Sequence, residues 1–98
     1  MDAAKEPKES RNRLYLALEG DASLYGFEGV NIDSEGRTLV YTGKQRTEGG
    51  VTFTVVTLES ATYVLHNGWI DIFYQDSAGY SQIMIPAQHV RAVRKVDV

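Results

Sequence analysis

The sequence predicts an all-β domain, either a single small barrel or a compact antiparallel sandwich of about six to seven short strands with little helix. Three observations predict it. Apolar residues recur at every second position, as in Leu14, Leu16, Leu18 and again in Val51, Phe53, Val55, the spacing that lines one face of a strand. Turns bearing glycine, asparagine or proline separate these runs at short intervals. No stretch sustains the 3.6-residue period of an amphipathic helix.

The elements follow in chain order. Residues 1–12 are polar, contain Pro7 and lack an apolar period, so a mobile tail is expected ahead of a single domain over 13–98. Residues 14–19 alternate as a half-buried strand that Gly20 ends. The Asp21 carboxylate can cap one short helical turn through Leu24 and Tyr25, which Gly26 and Gly29 keep short. Val30 and Ile32, a turn over 33–36 and a run over 38–42 read as a hairpin. Residues 43–50, "GKQRTEGG", read as the longest polar loop. A strand over 51–58 carries threonines on its outer side. After a turn at 75–79, residues 80–85 form another strand; Pro86 has no N–H to donate and must end it or lie at a sheet edge. Residues 87–90 suit one 3₁₀ turn before a last strand over 91–96.

The clearest local signal is "YVLHNGWIDIFY", residues 63–74. Asn67-Gly68 tolerates the positive φ angles of a two-residue hairpin turn. Such a loop sets His66 opposite Trp69, Leu65 opposite Ile70, Val64 opposite Asp71 and Tyr63 opposite Ile72. One face then holds Tyr63, Leu65, Ile70, Ile72 and Tyr74, the expected core side. The other holds Val64, His66, Trp69, Asp71 and Phe73, too apolar for plain solvent yet carrying a carboxylate and an imidazole. Such a mixture is characteristic of an interface or a second packed layer.

Charge is distributed unevenly. Net charge is −3, and from Thr47 to Val90 the only charged residues are Glu48, Glu59, Asp71 and Asp76, with no Lys or Arg. A β-rich stretch of 44 residues so poor in charge lacks the gatekeepers that keep exposed strand edges from pairing. Its edges are therefore covered within the chain or pair with another copy of it.

Several chemistries are disfavoured by what the sequence contains. There are no cysteines, and the two histidines, His66 and His89, stand in no metal-ligand spacing, so no metal and no cofactor is expected. No serine sits in a nucleophile elbow; His66 and Asp71 would be diagonal neighbours, a pairing more often structural than catalytic. An enzyme is not expected. Gly26 and Gly29 flank Phe27 and Glu28, unlike the basic loops that clamp phosphates. No apolar run is long enough to span a bilayer and no secretory leader begins the chain, so a cytoplasmic protein is expected.

Arg91, Arg94 and Lys95 form the one basic group near the end of the domain and a possible polyanion contact. On an unbroken strand Arg91 and Lys95 share a face while Arg94 points the other way. The strand ending in Ile85-Pro86, the short turn and the closing Val90-Arg91-Ala92-Val93 resemble the end of Sm-like and other SH3-like small barrels, over about fifteen residues. The resemblance implies a barrel. The Sm family's RNA-contacting motifs are not matched, since "VNID" departs from the aspartate-to-asparagine run and no Arg-Gly occurs.

The expected function is a non-catalytic interaction module, a homo-oligomer acting by protein–protein binding, with His66, Trp69, Asp71 and Phe73 as anchors. Two alternatives stand beside it: a nucleic-acid-binding barrel using Arg91, Arg94 and Lys95, and a small-molecule-binding protein with a tyrosine-lined pocket between subunits.

Overall fold

A computed structural model describes residues 12–97. The expected tail lies outside the described residues, except that Asn12, its last member, already belongs to the first strand. Eight strands form, rather than six or seven: β1 (Asn12–Glu19), β2 (Val30–Ile32), β3 (Thr38–Glu48), β4 (Val51–Glu59), β5 (Thr62–His66), β6 (Trp69–Asp76), β7 (Gly79–Pro86) and β8 (Val90–Asp97). They make two antiparallel sheets, one in the order β2-β3-β4-β1-β8 and one in the order β5-β6-β7. Among the described residues no ladder joins the two, and no closed barrel is found.

In β1 the core is what the period-2 pattern requires, but in β4 the expected faces are exchanged: Thr54, Val56 and Leu58 stand opposite Leu18, Leu16 and Leu14 on the core side, and Phe53 and Val55 opposite Glu19 and Ala17 on the other. Thr54 is therefore buried rather than outward, and its hydroxyl donates to the Gly20 carbonyl at 2.6 Å. Leu14, Leu16 and Leu18 of β1 and Val56 and Leu58 of β4 point to one side of the large sheet, and Ile70, Ile72 and Ile85 to one side of the small one; all are buried. Each such side chain contributes roughly 1.5–3 kcal/mol by leaving water. Phe27 enters from the segment after the first 3₁₀ turn (Ala22–Tyr25) and meets Tyr74 with ring centroids 5.6 Å apart. Asp21 caps that turn as expected, accepting from the Ser23 N–H at 3.0 Å. The second 3₁₀ turn (Ala87–His89) links β7 to β8.

A further sequence expectation fails in β3. Residues 43–50 are not a loop, because β3 runs on to Glu48 and pairs Gln45, Arg46, Thr47 and Glu48 with Thr54, Phe53, Thr52 and Val51. The turn is only Gly49-Gly50, with φ of 59° and 82°. Backbone pairing needs no apolar side chain, and residues 44–50 are exposed; with no core to face, this end of the strand carries no alternation to read.

The chain leaves the large sheet for the small one at Ser60, the one non-glycine among the described residues with positive φ (54°). Its N–H donates to the Asn12 carbonyl at 2.8 Å, which ties the corner to the start of β1 and helps hold the small sheet over the core.

Candidate interaction surface

The Asn67-Gly68 turn forms, with Gly68 at φ 84°, and β5 and β6 pair in the register the turn dictates: His66 with Trp69, Leu65 with Ile70, Val64 with Asp71 and Tyr63 with Ile72. Strand β7 pairs with β6 so that Met84 lies beside Asp71, Gln82 beside Phe73 and Pro86 beside Trp69. The alternation then sorts the small sheet into two faces. Ile70, Ile72, Tyr74 and Ile85 face the core, while Val64, His66, Trp69, Asp71, Phe73, Gln82 and Met84 share the outer face.

That outer face is apolar and open. Trp69 is 44% exposed, Met84 50% and Tyr80 87%; Val64 is also exposed and Phe73 half-buried. No Lys or Arg lies on any of the three strands. The four anchors expected from the sequence therefore lie on one face with Val64, as the hairpin register required, joined by Tyr80, Gln82 and Met84 of β7, which sequence reasoning had not singled out. Their signal was present: with Ile83 and Ile85 facing the core, every even position of β7 must face outward.

Asp71 departs from its neighbours, being only 7% exposed. The Gln82 side-chain amide donates to both of its oxygens, at 2.8 and 3.1 Å, and the His66 Nε2 stands 3.5 Å from Oδ2. A buried carboxylate is tolerated only when its lone pairs are met. Here an amide from β7 and an imidazole from β5 meet it across β6, so the three side chains cross-brace the sheet. The His66–Asp71 pair anticipated from the register is present, with the imidazole exposed and the carboxylate covered.

At the β6–β7 turn the Asp76 carboxyl is held below the usual carboxylate range, chiefly by the Ser81 hydroxyl donating to it at 2.6 Å and further by backbone N–H groups including that of Ala78. Burial pushes the Tyr74 phenol up, with the nearby Asp76 charge adding to it.

Leu65, expected in the core, is 68% exposed. It lies on the inner side of β5 but over an open apolar cleft that it lines with Ile70, Val90 and Val93; alternation chooses the side of a sheet, not whether another layer covers it. Of the tyrosines expected to line a pocket, Tyr80 borders a wider polar cleft with Arg13, Arg37 and Glu59.

The basic group is also rearranged. A register shift sets Leu18 opposite Val90 but Ala17 opposite Ala92, leaving Arg91 as the extra residue of a β-bulge. The bulge breaks the alternation, so Arg91 and Arg94, rather than Arg91 and Lys95, share the outer face of the large sheet. Arg91 stacks 4.7 Å over the Phe53 ring and Arg94 4.8 Å over the Tyr15 ring. Arg91 also pairs with Glu48 at 3.3 Å. Lys95 stands opposite Leu14, on the other face, and is exposed.

No protein family model, curated protein or solved structure matches this chain.

Proposed function

We propose that the chain is a non-catalytic, β-rich interaction module that binds further copies of itself through the small sheet. One observation carries this reading: Trp69, Val64, Met84 and Tyr80 lie exposed on a sheet that bears no Lys or Arg. Large aromatic side chains supply contact area at low entropic cost and a flexible Met adapts to its partner, and exposed apolar residues gathered on one face mark an interaction site. Trp69 is the central anchor, Phe73 lies four residues on along the same face, and the His66–Asp71–Gln82 brace keeps the face rigid. Because no ladder joins the two sheets and their core side chains pack together, the architecture is best read as a two-layer sandwich rather than a closed barrel.

Size-exclusion chromatography with light scattering tests the reading. The expected result is a particle of more than one chain, whose dissociation constant rises by about tenfold or more in Trp69→Ala. A clean monomer at high micromolar concentration sinks it.

A second reading is favoured by the bulge. Arg91 and Arg94, set over the Phe53 and Tyr15 rings, put two guanidinium groups on one face that a polyanion can contact. On that reading the protein binds single-stranded RNA or DNA with an affinity that falls steeply with salt and is lost in Arg94→Ala. Absent or salt-insensitive binding excludes it.

A further inference from the structure

We infer that two copies of the chain join edge to edge through β7, in antiparallel register about a two-fold axis at Gln82. The inference rests on the proposed self-association and specifies the strand that carries it.

Two sheets present four edges. The two edges of the large sheet carry devices that oppose pairing: β2 is only three residues long, and β8 is bulged at Arg91 and bears Arg91, Arg94 and Lys95. Self-pairing of β8 would set these cations against their own copies. The edges of the small sheet, β5 and β7, carry no Lys, Arg, Asp or Glu. Strand β5 has five residues and β7 has eight, so β7 is the longer unguarded edge.

The ladder determines which β7 groups face outward. The two-residue turn at 77–78 makes Asp76 and Gly79 its closing pair, and in an antiparallel hairpin the closing pair exchanges hydrogen bonds, as does every second pair beyond it. Gly79, Ser81, Ile83 and Ile85 thus turn their backbone groups toward β6. Tyr80, Gln82 and Met84 turn theirs to the edge. Among the described residues these find no backbone partner elsewhere.

A second copy fits this edge because β7 is self-complementary. An axis at Gln82 sets Gln82 opposite Gln82 of the second copy and Tyr80 opposite Met84, in both directions, as a two-fold contact requires. Each of the three residues then exchanges N–H and C=O, giving about six hydrogen bonds. The side-chain pairs are amide with amide and thioether with aromatic ring, and the latter is a favourable contact. Shifting the axis to Ile83 would put Tyr80 opposite Pro86, which has no N–H, in both halves of the contact, so the longer ladder gains no bond and exchanges the thioether–ring contact for Gln82 opposite Met84. No like charges meet in the favoured register, and the outer faces of the two small sheets, each with its Trp69, become one six-stranded surface.

Two measurements test this together: light scattering, and amide hydrogen exchange followed by NMR at high and low protein concentration. The expected result is that the Tyr80, Gln82 and Met84 amides exchange at least about tenfold faster on dilution while Tyr63 and Leu65, on the β5 edge, do not change. The double variant Tyr80→Lys, Met84→Lys places ammonium groups opposite one another and is expected to be monomeric with an unchanged far-UV circular dichroism spectrum; Thr62→Lys, on the β5 edge, is expected to keep the particle mass. An oligomeric wild type whose three β7 amides exchange freely overturns the β7 assignment and leaves self-association standing. A wild-type monomer overturns both. If the double variant does not fold, the exchange pattern of the wild type decides.

Discussion

At the residue scale, the carboxylates show how differently one side chain can be held. Asp71 is enclosed and met by Gln82 and His66, whereas Asp33 sits in the β2–β3 turn and accepts the Glu35 and Arg37 backbone N–H groups at 2.9 Å while pairing with the Arg37 guanidinium at 2.7 Å. The Arg37 backbone N–H, above all, holds the Asp33 carboxyl below its usual range. A carboxyl lowered in the native state adds stability that is fully present above its unfolded pKa, about 3.9, and lost as pH falls through the lower native value. Asp76 shares this sign. Urea denaturation between pH 6 and pH 2 is therefore expected to show stability falling below about pH 4, with a shallower fall in Asp33→Asn. An identical pH profile in the variant would refute the assignment. The nearness of His66 to Asp71 was legible in the sequence because Asn67-Gly68 sets the register. The burial of Asp71 was not, since it depends on Gln82 of another strand.

At the element scale, turn chemistry was the most informative signal and strand ends the least. Gly68 holds a left-handed φ of 84° with open space where a Cβ would stand, so Gly68→Ala meets backbone strain but no steric clash. The expected cost is about 1–2 kcal/mol, read as a lower urea midpoint with an unchanged slope. An unaltered midpoint would mean that the turn does not constrain the hairpin. Elsewhere the local pattern misled for identifiable reasons. The far half of β3 is exposed and pairs without burying apolar side chains, so its polar composition resembled a loop. In β8 one inserted residue re-aimed Arg91, and alternation cannot reveal a bulge, because the extra residue is defined by what the partner strand β1 lacks.

At the scale of the whole molecule, the uneven charge acquires a location. The 44 residues without Lys or Arg include β4 and the whole small sheet. Strand β4 lies between β3 and β1 and needs no charged protection; β5 and β7 are edges and have none. The proposed association through the small sheet follows from that difference between a paired and an unpaired strand, and Trp69→Ala and the β7 lysines probe its face and its edge separately. The basic residues Arg91, Arg94 and Lys95 border the other sheet, where they guard β8.

What the sequence by itself determined is local: the all-β class, the alternating core positions of β1 and β6, the 3₁₀ turns and the hairpin register, each set by backbone sterics or by a period that neighbouring residues carry. What only the tertiary structure decided is non-local. The division into sheets of five and three strands, the exposure of Leu65, the burial of Asp71, the shared face of Arg91 and Arg94 and the unguarded state of β7 all depend on which strand lies beside or above another. That is settled by contacts between residues far apart in the chain, which no local period encodes.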